Sequence, residues 1–171
     1  LRSRQADDRV FPHHIIDSHT AFQIGDLLVT PVPVPHDARE PVQYLFNSED
    51  HQLGILTDVG SLTPHIESVY ANCDGLLIEA NHDLDMLYAG AYPEFLKDRV
   101  AGPWGHLNNQ QTAKLLSAID QQRMQQLVIG HISEKNNSLE KVKTAVEAVI
   151  DGCGNLHYAC QQQGFNWLEL R

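Results

Sequence analysis

Three short strings, Pro35-His36-Asp37-Ala38, Leu56-Thr57-Asp58-Val59-Gly60 and Val128-Ile129-Gly130-His131-Ile132-Ser133, each put one metal-competent side chain where an apolar strand is predicted to run out. A sheet fixes its strand ends rigidly, so ligands carried just past them converge with little freedom to reorganise. Two imidazoles and a carboxylate suit zinc, manganese or iron. The three lie far apart in sequence and none is a cysteine, which excludes a compact zinc finger. Taken singly, each has a plain reading too. A histidine after a strand is commonly a surface or hydrogen-bonded residue, and Asp58 ahead of Gly60 suits a turn.

The elements that must position these residues follow from pattern. His14 to His19 and Asp26 to Val34 read as neighbouring β-rich runs turned at Gly25, and Pro31, Pro33 and Pro35 favour an edge or an irregular strand end. Val42 to Asn47 and Gln52 to Thr57 read as a hairpin around Ser48-Glu49-Asp50-His51 that delivers Asp58. Thr63-Pro64 opens a helix ending near Asn72. Gly75 to Ala80 is a short, almost wholly apolar strand of the kind covered on both faces, and Asn81-His82-Asp83 follows it. Two short helices, Asp85 to Ala89 and Pro93 to Ala101, precede the turn Gly102-Pro103-Trp104-Gly105-His106-Leu107-Asn108. A longer helix over Asn109 to Gln122 faces Ala113, Leu116 and Ile119 inward. Gln126 to Gly130 is another buried strand, and Ser138 caps an amphipathic helix through Val142, Ala145, Val146 and Val149. Asn155 to Ala159 and Phe165 to Leu170 read as closing strands. The whole reads as one α/β (α+β) domain over residues 1–171.

Composition narrows the function classes. The 171 residues are 42% hydrophobic and 20% charged, enough for one core. A net charge of −10 argues against gripping nucleic acid through a broad basic surface. It leaves phosphate chemistry open, because metal ions supply positive charge at one point. Three cysteines form no paired framework, Cys73 reads as a buried thiol, and a reducing cytoplasm fits best. No stretch approaches the roughly eighteen apolar residues of a membrane span, and Leu1 to Asp8 carry no signal-like run.

Several strings in order carry a resemblance. They are Phe22-Gln23-Ile24-Gly25-Asp26, His36-Asp37-Ala38-Arg39-Glu40-Pro41-Val42, Gly54-Ile55-Leu56-Thr57-Asp58-Val59-Gly60, Glu79-Ala80-Asn81-His82-Asp83, Gly105-His106-Leu107-Asn108-Asn109, and Gly130-His131-Ile132-Ser133 with Asn136-Asn137. Together they resemble the YycJ-like (WalJ) branch of metallo-β-lactamase-fold hydrolases. The resemblance implies a four-layer αββα sandwich with two divalent metal ions, zinc or manganese, along the top of two sheets. His36 resembles the lone histidine on the first metal, Asp58 the carboxylate bridging both, and His131 the last histidine on the second. His106 resembles a catalytic histidine that touches the scissile phosphate or protonates the leaving group; the plain alternative is a residue at the start of a helix. His82 and Asp83 read either as partners orienting ligands or substrate, or as a simple helix cap by Asp83. His13, His14, His19, His51, His65 and His157 read as surface residues, and Asn136-Asn137 as the shape of a turn.

The signature His-x-His-x-Asp-His of that fold is absent from these 171 residues. The chain, which starts at Leu1, therefore reads as the C-terminal half to two thirds of the sandwich and is expected to be inactive alone. The resemblance implies a metal-dependent phosphodiesterase, a 5′-to-3′ exonuclease on DNA linked to repair. Two other readings stand beside it: a metallo-hydrolase of a lactone or thioester, and a non-catalytic half-domain serving as a binding or assembly module. Expected partners are a nucleic-acid or other phosphodiester substrate, no membrane, and either a second copy or the absent N-terminal half covering an exposed sheet face.

Overall fold

A computed structural model describes residues 14–162 and 164–171. Seven strands form one sheet: β1 (Phe22–Ile24), β2 (Leu27–Pro33), β3 (Val42–Asn47), β4 (Gln52–Leu56), β5 (Gly75–Glu79), β6 (Gln126–Gly130) and β7 (Asn155–Tyr158). Among the described residues five helices accompany them: α1 (Pro64–Val69), α2 (Leu84–Ala89), α3 (Glu94–Ala101), α4 (Asn109–Ala118) and α5 (Leu139–Glu147). Strand order in space repeats order in the chain. β1 to β4 pair antiparallel through short turns, whereas β4 to β7 pair parallel because each step between them crosses over through helix. The prolines of β2 fall where the strand is an edge in practice. β1 reaches only as far as Val29, so no β1 carbonyl is left waiting for the N–H that Pro31 and Pro33 lack.

The register places Leu45, Gly54, Leu76, Leu127 and Leu156 in one row across the sheet. That face meets Ile66 of α1, Leu115 and Leu116 of α4, and Val142 and Val146 of α5 in a single buried cluster. Gly54 makes the contact with α1 possible. A Cβ there would stand 2.6 Å from the ring of Tyr70, a fully buried side chain whose hydroxyl donates to the Ile55 carbonyl at 2.9 Å.

The other face carries the row Tyr44, Ile55, Leu77, Val128 and His157. No helix of the core cluster covers it. The tail from Phe165 lies there instead, and a groove of about 660 Å³ runs between Leu53, Ile55 and Leu77 on the sheet and Phe165, Leu168 and Leu170 on the tail. This tail is not the strand expected over Phe165 to Leu170. Its backbone is held by side chains, with Gln126 Nε2 donating to the Glu169 carbonyl and Gln125 Nε2 to that of Arg171. Nor is His14 to His19 a strand: Asp17 Oδ1 accepts from the His19 N–H and the Thr20 hydroxyl, and this local turn outcompetes pairing for an Ile15 left almost wholly exposed. Of the histidines read as surface residues, His14, His19 and His65 are exposed, His51 and His157 half-buried, and His13 lies outside the described residues.

Gly54→Ala is expected to cost about 1–3 kcal/mol through overpacking against Tyr70. Thermal unfolding checks this, with a drop of several degrees expected and an unchanged midpoint contradicting the packing account.

Candidate metal centre

Each candidate ligand sits just past the end of a strand. β2 leads to His36, β4 to Asp58, and β6 to His131, while His106 ends the loop between α3 and α4. Three loops lock together to hold them. The Gly60 N–H donates to the Pro35 carbonyl at 2.7 Å, and His36 Nδ1 bonds the Gly105 carbonyl at 3.0 Å. A Cβ on Gly60 would stand 2.4 Å from the Pro103 carbonyl oxygen, so glycine is what lets the loop before His106 dock on the turn after Asp58. Asp58 and His131 are the only described non-glycine residues with positive φ, at 56° and 50°. Such backbone is uncommon for histidine, and strain of this kind persists where surrounding structure over-determines it.

One oxygen of Asp58, Oδ1, lies 3.9 Å from His36 Nε2, 3.9 Å from His106 Nδ1 and 4.0 Å from His131 Nδ1. The imidazole centroids are 5.2 Å apart for His36 and His106, and 5.0 Å for His106 and His131. The structure thus brings together all four residues singled out as ligands or catalyst. Donor atoms of His36, Asp58 and His106 fall within 4.8 Å of one another, as do those of Glu79, His106 and His131.

Glu79 is the residue that sequence reasoning missed. It ends β5, its side chain is fully buried, and it accepts four hydrogen bonds. Oε1 takes the Val59 N–H at 2.8 Å and the Leu107 N–H at 3.2 Å, while Oε2 takes Nδ1 of His106 and of His131, both at 3.0 Å. A carboxylate offers about four lone-pair sites. All four are used, so Glu79 has no capacity left for an ion and orients the two histidines instead, the usual arrangement behind a metal-binding imidazole. An ionised carboxylate only accepts, so both Nδ1 atoms carry protons and each Nε2 is left to meet a ligand. The one signal available in the sequence was a carboxylate terminating the run Leu76-Leu77-Ile78.

Burial pushes the Glu79 pKa up, but hydrogen bonds from His106 and His131, the charge of His106 and the Val59 N–H outweigh it and hold the carboxyl at about 2. The same hydrogen bond raises the His131 pKa against the opposing effect of burial. On the far side, Asp37 pairs with the Arg99 guanidinium of α3 and lies 3.5 Å from His36 Nε2.

His82 and Asp83 part company. Asp83 caps α2 by accepting the Met86 N–H at 2.9 Å and pairs with Lys141 at 3.0 Å, rather than bonding the three histidines. His82 is fully buried, and neither ring nitrogen has a hydrogen-bond partner among the described residues. Burial, followed by the nearby His106, pushes its pKa down to about 4, so it is a neutral ring packed beneath the site. Asn137 joins the loops instead: its amide exchanges hydrogen bonds with Asn109 at 2.8 and 3.0 Å and donates to the Ala80 carbonyl.

Comparison with known proteins places this geometry in context. A family model described as the beta-lactamase superfamily domain matches residues 2–132. The exodeoxyribonuclease WalJ of Streptococcus pneumoniae is 35% identical over 127 residues, covering 74% of this chain and 47% of that protein. The exodeoxyribonuclease YycJ of Bacillus anthracis is 30% identical over 130 residues, covering 76% and 49%. The chain therefore spans about half the length of these relatives. The metallo-beta-lactamase fold protein YhfI from Bacillus subtilis superposes with a TM-score of 0.63 at 15% identity, over 89% of this chain and 54% of that one, a likeness of fold.

Because the folded Glu79 pKa lies below its ordinary value of 4.5, its contribution to stability is complete above about pH 4.5 and is lost as pH falls towards 2. The shift corresponds to something on the order of 3 kcal/mol. Denaturant unfolding of metal-free protein across this interval should show the loss in the wild type and a flatter profile in Glu79→Gln, which also starts less stable at pH 7. A wild-type profile without that decline would contradict the saturated-carboxylate account.

Proposed function

Since this chain belongs to the beta-lactamase superfamily, we propose that it forms part of a metal-dependent phosphodiesterase, an exonuclease acting on DNA in the 5′-to-3′ direction. The observation that carries this reading is the single Asp58 oxygen within 4.0 Å of His36 Nε2 and of the Glu79-bonded Nδ1 atoms of His106 and His131, which gathers the three rings about one carboxylate. The donor set fits divalent metal: imidazoles and a carboxylate converge, and a saturated carboxylate stands behind two of the rings. His36, Asp58 and His131 would hold it. A pair of divalent ions, zinc or manganese, would supply Lewis acidity towards a phosphoryl oxygen and a water made acidic enough to attack near neutral pH.

The chain's own residues do the rest. Asp58, in its strained turn, offers its carboxylate between the histidines. His36 is aimed by the Gly105 carbonyl, and His131 by Glu79. With the Nδ1 proton held on Glu79, His106 keeps Nε2 for the substrate, and a second proton taken up at Nε2 can pass from the imidazolium to the departing oxygen, leaving the neutral ring. A proton donor in that place favours a phosphodiester over a lactone or thioester. The relatives named exodeoxyribonuclease support DNA as the substrate.

We also read residues 1–171 as the C-terminal portion of one sandwich domain. The sheet's second apolar face, which among the described residues is lined by the tail from Phe165, supports pairing there with the rest of the domain or with a second copy. Three donors are too few to close two metal shells, so this stretch alone is expected to bind metal weakly and to be inactive. The free cysteines Cys73 and Cys153 support a reducing cytoplasm, and no helix among the described residues is long and apolar enough to cross a membrane.

Full-length protein with manganese should degrade single- or double-stranded DNA, and His106→Ala should lower turnover by about 10²–10⁴-fold. Asp58→Asn should lower the metal content measured by elemental analysis. Tight stoichiometric metal and hydrolysis by residues 1–171 alone would overturn the incomplete-site reading. An unchanged rate in His106→Ala would overturn its role.

A further inference from the structure

A cleft of about 350 Å³ opens beside the histidine cluster, and nothing in the reading above uses it. His106 and His131 line it on the side of the cluster, with Tyr92, Ser133, Lys135 and Glu134 among its other walls. His36 and Asp58 are not among its walls, so it lies to one side of the place where Asp58 gathers the three rings.

Tyr92 and the run Ser133 to Lys135 come from two separate segments of the lining, and both are pinned. Tyr92 sits between α2 and α3, a turn closed by the buried Lys97, whose ammonium donates to the Tyr88 carbonyl at 2.8 Å and meets Glu94 at 2.9 Å. Ser133 and Lys135 follow His131. The Ser133 N–H donates to the Asn81 carbonyl at 2.9 Å, the Asn136 N–H to Ser133 Oγ at 3.1 Å, and the Asn81 amide to the His131 carbonyl at 3.0 Å. The Lys135 ammonium stands 5.9 Å from the centre of the Tyr92 ring, over its face. Glu134, the acidic wall residue, is engaged by the Gln162 amide.

An aromatic face with a cation over it, beside histidines proposed to work on a phosphodiester, has a specific chemical complement. A flat base can replace the ammonium on the ring, and the displaced ammonium can pair with the phosphate that base carries. Small-ligand sites run from about 300 to 1,000 Å³, and this cleft lies at the small end, which suits one nucleotide. A base must leave its stack to lie on the ring, which selects single-stranded ends. Resting on the phosphodiesterase reading, we propose that this cleft is a nucleotide subsite flanking the scissile phosphate, in which Tyr92 stacks the base and Lys135 pairs with the adjoining phosphate.

The test is binding by full-length protein stripped of metal with EDTA, read by fluorescence anisotropy of a short labelled single-stranded oligodeoxynucleotide. Tyr92→Ala should weaken binding about tenfold or more, and Tyr92→Phe should restore it. Lys135→Ala should weaken binding and reduce the slope of log affinity against log salt by about one, with Lys135→Arg keeping the wild-type slope. Thermal unfolding of each variant separates lost binding from lost fold. If wild-type protein with manganese hydrolyses bis(4-nitrophenyl) phosphate and binds the oligonucleotide, yet folded Tyr92→Ala and Lys135→Ala bind as tightly as wild type, the subsite is overturned while the phosphodiesterase reading stands. If the wild type neither hydrolyses that ester nor binds the oligonucleotide, both fall.

Discussion

A buried anion tolerates no half-measures, and the Glu79 carboxylate is the constraint around which this half of the molecule is arranged. Leaving it unpaired would cost several kcal/mol, so the donors that reach it are fixed as firmly as the core. Those donors come from three places: the Val59 N–H in the turn after β4, His106 with the Leu107 N–H before α4, and His131 after β6. One side chain thereby sets the spacing of the loops that carry Asp58, His106 and His131. The rest of the centre is organised outward from it.

The remaining candidate ligand, His36, is fixed differently. It belongs to the antiparallel half of the sheet and answers to backbone groups, with the Gly105 carbonyl on its ring and the Pro35 carbonyl held by Gly60. Small residues matter here because three loops must approach at backbone distance, as the space around Gly60 makes plain. The positive φ of Asp58 and His131 fits this picture. Both residues occupy left-handed backbone that few non-glycine residues adopt, although Asp and His are among those that enter it most readily.

Much of this was legible in the sequence, and the boundary of legibility is physical. Strands ending in His36, Asp58 and His131 could be read because apolar runs and turn residues are local signals, and ligand chemistry is written in residue type. The caps at Thr63 and Ser138 are local too, and each forms, although α4 stops at Ala118, short of the expected Gln122. Glu79 escaped because what makes it significant is four donors that come from residues 59, 106, 107 and 131. His14 to His19 and Phe165 to Leu170 misled for the opposite reason. Their β-rich composition is local, but a strand needs a free ladder edge, and a turn at Asp17 and side-chain amides from Gln125 and Gln126 supplied bonding first.

The strand order of the sheet, which repeats the order of the chain, has a consequence for assembly. Each strand finds its neighbour across one turn or one helical crossover, so the sheet can lengthen from β1 towards β7 with small closure entropy at each step. Donors join in the same sequence, and His131 comes last. Until β6 is laid against β5, the end of β5 holds a desolvated charge with one of its four donors missing. The centre is therefore completed one strand before the sheet, when β6 docks and residue 131 reaches its place, and β7 closes the sheet afterwards.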